Sequence, residues 1–120
     1  MTDSTPDILT EYQEVQAEVN DLTTLTSVEV ITMMAVDLLT VAAVKCGLAE
    51  DGRPADLDDA RKLINATAGF ITASAAELGD HHARPLREAL RQVQLAFREA
   101  SLVPDAPGQG PGEKFTGPVN

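Results

Sequence analysis

The segment from Ser27 to Cys46 constrains the fold most, because it carries the start and stop signals of a helix but has no broad polar face. Thr26 and Glu29 have the spacing of a capping box, in which each residue satisfies a backbone N–H at the start of a helix. Gly47 follows at the position where helices commonly end in a left-handed residue. Between these signals the apolar side chains point in almost every direction, and a helix of this kind is buried on all sides. A lone three-helix domain would leave part of it in water, so we expect another chain to cover it.

The expected contact between chains lies on this helix. Met34, Leu38 and Val41 share one side and are predicted to be buried between helices, with Asp37 beside them. A buried carboxylate needs a partner, for which Lys45, an arginine of another helix or a second copy of the chain are candidates. We interpret Asp37 as a residue that fixes the register between helices rather than as a catalytic group. The sequence therefore predicts a homo-oligomer.

Two further helices follow. The apolar residues of positions 57–78 recur every three or four residues, Asp56 is the expected N-cap, and Gly79 ends the pattern. The Gly at position 69 costs roughly 1 kcal/mol within a helix, so another backbone is expected close to it. The third helix is predicted for about 84–101, starting near Pro85. Its apolar seam has the spacing of a coiled coil and comprises Leu86, Leu90, Val93, Phe97 and Ala100.

The composition favours packed helices over a sheet sandwich. Aromatic residues make up only 3% of the chain, which contains no Trp, so the core must come from aliphatic side chains and Met. We therefore predict an all-α fold, a three-helix unit with a possible extra N-terminal helix, assembling as a helical-bundle oligomer. The helical domain is expected to span residues 27–101, with helices at about 27–46, 57–78 and 84–101.

The two ends differ in character. Residues 1–26 hold six acidic residues and no basic one, and within them a weaker apolar seam from Ile8 to Leu22 predicts a helix only if it docks on something. Five carboxylates accompany this seam, so we expect the segment from Asp7 to Leu22 to pack near the third helix of its own or a partner chain. The segment 102–120 contains four Pro and four Gly. That composition predicts a disordered tail that is dispensable for folding.

A basic stripe lies on the third helix. Its four arginines and Gln94 fall within about 80° of one another around the helix axis, and the arginines are Arg84, Arg87, Arg91 and Arg98. Three interpretations remain open for this partner-binding stripe. It forms a solvated face with nearby carboxylates, it docks an acidic segment of its own chain or of a second copy, or it contacts phosphate or RNA. The last is the least favoured, because no aromatic residues interleave for base stacking.

The overall charge and the single cysteine exclude several classes of function. A net charge of −10 opposes bulk attraction to nucleic acid or to an anionic membrane. One Cys cannot form an intrachain disulfide or a Cys-based zinc cluster. The N-terminus has no basic region of the kind that starts a secretory signal. Because Glu29, Asp37 and Lys45 interrupt the apolar segment, we expect no membrane span and a cytoplasmic protein.

No constellation of residues indicates catalysis. Cys46 is placed in the last turn of its helix, where the negative end of the dipole disfavours a thiolate, so we expect a structural role. His81 and His82 are adjacent and would point about 100° apart on a helix, which prevents them from sharing a metal. We therefore expect no catalytic, cofactor-binding or metal-binding residues, and no enzyme.

Three stretches of the sequence resemble a known family. They are Val28–Ile31, Ala42–Leu48 and, as the most specific, Leu95–Ser101 followed by Pro107–Lys114. In these stretches the chain resembles an actinobacterial group of short helical proteins, domain-of-unknown-function family 1844, over roughly residues 27–119. The family has no assigned activity, so the resemblance implies no catalytic or ligand residues. Its genes often lie beside those for translation initiation factor three and large-subunit ribosomal proteins, which implies at most a loose link to translation.

Two functional hypotheses follow. The first is a non-enzymatic protein-interaction module that acts as a helical homo-oligomer, with an unknown protein partner. The alternative is a translation-associated factor that contacts ribosomal RNA or protein through the arginine stripe. The two differ in salt dependence, because phosphate contacts weaken steeply as salt rises.

Overall fold

The computed structural model describes residues 10, 11, 13, 14 and 21–120. Its elements are α1 (Ser27–Ala43), a π-helical turn (Val44–Leu48), α2 (Leu57–Leu78), α3 (Asp80–Ala100) and the short α4 (Glu113–Thr116). No strand occurs among the described residues, and the predicted all-α class with three main helices is confirmed.

The chain divides into two units, Met1–Val30 and Ile31–Asn120. In the first, residues 10, 11, 13, 14, 21 and 22 are helical, and the other positions of the predicted N-terminal helix lie outside the described residues. Its docking near the third helix therefore stays a prediction. The capping box is confirmed, since the Glu29 backbone N–H donates to Thr26 Oγ1 over 3.2 Å and Thr26 N–H donates to Glu29 Oε1 over 2.9 Å.

Glycines set the ends of the helices in the second unit. Gly47 adopts φ 95° within the π-helical turn, so the predicted left-handed end of α1 is confirmed. Asp56 caps α2 by accepting the Asp59 backbone N–H over 3.1 Å, and the Gly79 N–H closes the far end on the Ala75 carbonyl over 2.9 Å. The π-helical turn joins α2 through the Lys45 carbonyl, which accepts the Asp56 N–H over 2.8 Å.

The predicted start of the third helix is wrong by about one turn. Helix α3 begins at Asp80, directly after Gly79, and the Ala83 N–H already donates to the Gly79 carbonyl over 2.9 Å. Pro85 therefore lies inside the helix rather than in its first turn. Pro85 cannot donate to the His81 carbonyl and its ring crowds that carbonyl, so α3 continues through Pro85 at the cost of one backbone hydrogen bond in its second turn.

Helices α2 and α3 form a helical hairpin around the densest part of the core. Ile64, Ile71 and Leu90 are completely or almost completely buried, and Phe97 extends this core toward the open end of the hairpin. The predicted seam of α3 is buried except for Ala100, which is exposed at the helix end. Helix α1 contributes a narrower face to this core, comprising Ala35, Leu39 and Ala42.

The predicted disordered tail is wrong. Residues 104–119 return to the helical hairpin, and within this C-terminal segment Pro111, Gly112, Glu113 and Val119 are buried. The helical domain therefore extends well beyond residue 101. The proline and glycine content favours disorder here. Hydrogen bonds from this segment to distant residues of the hairpin stabilise the ordered conformation.

Candidate functional site

The outward face of α1 is apolar and faces solvent in the single chain. A seam along this face has the spacing of a coiled coil, and it comprises Met34, Asp37, Val41 and Val44. Asp37 and Val41 are exposed, whereas Met34 and Leu38 are half-buried. Seven large hydrophobic residues are exposed in the described part of the chain, and four of them lie between Met33 and Leu48. Exposed apolar residues of this kind make the outward face of α1 a candidate site of association.

The same segment passes a length and composition test for membrane helices. Ser27–Leu48 is long and apolar enough to span a bilayer, and 17% of its most apolar 18-residue stretch is buried. Core helices of soluble proteins and signal sequences share this length and composition.

Glu113 anchors the C-terminal segment by accepting three backbone hydrogen bonds. Its Oε1 accepts the N–H groups of Gly108 over 2.8 Å and Gly110 over 3.1 Å, and its Oε2 accepts that of Val119 over 3.3 Å. The carboxylate is thus enclosed by the loop on both sides of it, and the residue is buried. Charge-assisted bonds of this kind are roughly twice as strong as neutral ones.

Two glycines let the C-terminal segment approach the hairpin closely. Gly112 has φ 77°, and a Cβ added there would lie 2.9 Å from Gln94 Nε2 and 3.0 Å from Ala68 Cβ. On α2, a Cβ added at Gly69 would lie 3.1 Å from Cζ of Phe115. The prediction that another backbone lies close to Gly69 is therefore wrong, because the close neighbour is the Phe115 side chain, and the backbone that approaches α2 is that of Gly112 beside Ala68.

Polar side chains of the hairpin fix the register of this docking. Asn65 Oδ1 accepts the Gly112 N–H over 2.7 Å. The buried Gln94 donates from Nε2 to the Pro111 carbonyl and to Thr116 Oγ1, each over 3.1 Å. The sequence pattern does not predict these roles of Asn65, Gln94, Glu113 and Phe115, and the glycine inside α2 is the one signal of a close neighbour.

The structure separates the four arginines of the stripe. Arg98 Nη1 donates to the Asp105 carbonyl over 3.4 Å, and Arg91 Nη2 donates to the backbone oxygen of Asn120 over 2.8 Å. These two arginines thus contact the C-terminal segment of their own chain. Arg84 and Arg87 stay exposed, and Arg87 has only a 4.0 Å ion pair with Asp80.

A pocket of about 560 Å³ opens between α2, α3 and the C-terminal segment. Three arginines lie along its α3 side, namely Arg84, Arg87 and Arg91. Phe115 and Thr116 form part of the opposite side, and Glu88 is the one carboxylate among the lining residues. We refer to this site as the arginine pocket.

Cys46 and the histidines occupy positions without catalytic geometry. The Cys46 thiol is buried and lies 4.0 Å from the Val93 carbonyl, and burial raises its pKa. His81 and His82 are exposed and pack edge to face, with ring centroids 5.2 Å apart. Within the described ranges, no three His, Cys, Asp or Glu side chains are grouped so that they could hold a metal ion.

Comparison with protein families gives a match over more than half of the chain. The model of the family described as Domain of unknown function (DUF1844) matches residues 27–99. Searches of curated proteins and of solved structures gave no significant match.

Proposed function

The chain belongs to the DUF1844 family of domains of unknown function, and we propose that it acts as a non-enzymatic interaction module in the cytoplasm that self-associates through the outward face of α1. The observation that carries this proposal is the outward face of α1, on which Val41 is exposed and Met34 and Leu38 are only half-buried. Covering this face with a second copy would remove Val41 and Met33 from water, and both are more than 40% exposed in the single chain.

A second copy fits this face in one particular register. If two α1 segments pair in antiparallel fashion about a twofold axis at Val41, then Val41 meets its own counterpart and Leu38 lies level with Val44. In the same register Asp37 lies level with Lys45 of the partner, which also forms a 3.0 Å ion pair with Asp59 of its own chain. The face therefore complements itself in charge and in apolar character, as an isologous interface requires.

A charge in the middle of the seam argues against a lipid occupant. Asp37 stands near the centre of the exposed face, and a carboxylate at the centre of a bilayer costs roughly 2.5–3.5 kcal/mol. Between two protein chains the same carboxylate remains near a partner's lysine and near water. Protein association therefore suits this face better than insertion into a membrane.

The absence of an activating environment for Cys46 supports a non-enzymatic role. The thiol is buried with a raised pKa, whereas nucleophilic cysteines need a lowered pKa and access to substrate.

Sedimentation velocity at micromolar concentration tests the proposal. We expect a dimer or larger species for the unmodified chain and a folded monomer for Val41→Asp, because Val41 is 46% exposed and its replacement disturbs no core contact in the single chain. Val103→Asp is the matched control, since Val103 is 86% exposed and lies far along the sequence from α1. A monomer of 12.7 kDa at all concentrations would contradict the proposal, as would flotation of the unmodified chain with lipid vesicles.

A further inference from the structure

The arginine pocket concentrates positive charge on a strongly acidic chain. Arg84, Arg87 and Arg91 are spaced by three and four residues along α3, so their side chains lie within about 60° of one another around the helix. The net charge of the chain is −10, yet the pocket lining carries three arginines against the single carboxylate of Glu88. A surplus of two positive charges in one concave site attracts an anion.

The guanidinium groups in this pocket have little internal compensation. Within the described part of the chain, Arg84 has no carboxylate within 4 Å, and Arg87 reaches only Asp80, whose side chain is 87% exposed. Arg91 Nη2 already holds an oxygen, the backbone oxygen of Asn120 at 2.8 Å. The Arg91 guanidinium thus shows that an oxygen atom can accept a hydrogen bond from an arginine of this pocket.

The opposite side of the pocket supplies a flat apolar surface. Phe115 is 41% exposed although it belongs to the docked C-terminal segment, and the tip of its ring rests against Gly69. Lys114 Nζ lies over this ring, 5.1 Å from its centroid, so a planar group of a ligand would stack on the other face of the ring. The pocket volume of about 560 Å³ lies in the range of sites for small molecules.

We propose that the arginine pocket binds a small organic phosphate, with the phosphate on Arg84, Arg87 and Arg91 and the planar part of the ligand against Phe115. A phosphate dianion can accept hydrogen bonds from several guanidinium groups at once, whereas one carboxylate is satisfied by a single bidentate arginine. A nucleic-acid strand suits the site less well, because the C-terminal segment closes one side and the pocket offers one aromatic residue for stacking.

The proposal also links the ligand to the C-terminal segment. Phe115 and Thr116 reach the pocket only because Glu113 and Gly112 hold this segment on the hairpin. A ligand that contacts both sides should therefore stabilise the docked segment.

Titration calorimetry on the full chain, with phenyl phosphate, inorganic phosphate and benzoate as probes, tests the site. We expect phenyl phosphate to bind about tenfold more tightly than inorganic phosphate and benzoate, because only it uses both sides of the pocket. Arg84→Gln combined with Arg87→Gln should weaken phenyl phosphate at least about tenfold. Both residues are exposed, so the double variant should keep its helical circular dichroism.

Two further variants separate the site from a general charge effect. Arg53→Gln removes an exposed arginine that pairs with Asp51 outside the pocket, and it should leave phenyl phosphate binding unchanged. Phe115→Leu should remove the preference for phenyl phosphate over inorganic phosphate. Equal binding of benzoate, unchanged binding by the double arginine variant, or tighter and steeply salt-dependent binding of a short single-stranded RNA would each overturn the proposal.

Discussion

Glu113 shows how a single residue can order a segment whose composition favours disorder. Its carboxylate accepts three backbone N–H groups of residues that span Gly108 to Val119. These N–H groups would otherwise be buried or half-buried without a partner, because a loop rich in proline and glycine forms no ladder of its own. The Glu113 carboxylate therefore accepts backbone N–H groups that backbone carbonyls would accept in a strand or helix.

Replacing Glu113 with Gln tests this role. The amide keeps one acceptor but turns an N–H₂ group toward a backbone N–H, so we expect a loss of about 1–3 kcal/mol of stability. Thermal unfolding and amide exchange in residues 108–119 measure the change. Glu99→Gln, at an exposed site on α3, is the matched control and should unfold like the unmodified chain. Slow exchange in both variants would show that the carboxylate is not what holds the loop.

Cys46 provides a residue-scale test of the core. Burial raises the pKa of its thiol above the ordinary value of 9.0, so the folded chain holds the proton more tightly than the unfolded chain. The stability that results from this difference in pKa is fully present below the pKa of the unfolded thiol. It decreases as the pH rises beyond that value. We expect Ellman's reagent to modify the folded protein very slowly at mildly alkaline pH and the denatured protein at once. Fast modification of the folded chain would show that the π-helical turn opens readily.

At the scale of elements, periodicity predicted the helices well and composition predicted the C-terminal segment badly. The apolar residues of α2 and the seam of α3 recur every three or four residues. Any helix with one buried face requires this spacing, so the pattern can be recognised from the local sequence. The C-terminal segment has no period, since its order depends on Asn65 and Gln94, which lie 47 and 17 residues before their partners. The predicted start of α3 is wrong because proline favours the first turn, whereas in this chain α3 begins at Asp80 and continues through Pro85.

The antiparallel register of α1 predicts a result for exchanged charges. Asp37→Lys should weaken association about tenfold, because two attractive pairs per dimer become repulsive, and exposed pairs are each worth about 0.2–1 kcal/mol. Adding Lys45→Asp should restore much of the affinity, although this change also removes the 3.0 Å ion pair between Lys45 and Asp59.

Concentration-dependent sedimentation measures both exchanges. Glu50→Lys, an equal change of charge at an exposed site of the loop after α1, is the control and should associate normally. If the double variant is weaker than Asp37→Lys alone, the register about Val41 is wrong.

At the scale of the whole molecule, the two proposed surfaces use different parts of the domain. Self-association depends on the outward face of α1, whereas the arginine pocket depends on the hairpin and the C-terminal segment. Neither Val41 nor Met34 is among the residues that line the pocket, and no pocket residue belongs to α1. The two properties should therefore be separable by mutation.

Deleting residues 104–120 tests this separation. The deletion removes the Glu113 hydrogen bonds and the burial of Pro111 and Val119, which together contribute about 2–3 kcal/mol. For a domain of this size the melting temperature should fall by about 10 °C or more.

Because the deletion leaves the seam of α1 intact, the truncated chain should still associate at temperatures where it remains folded, but it should lose phenyl phosphate binding. Val41→Asp should show the opposite pattern, a monomer that binds phenyl phosphate normally. If instead the truncated chain is monomeric while its helical circular dichroism is unchanged, the C-terminal segment forms part of the interface between chains. The self-association surface and the arginine pocket would then not be separate.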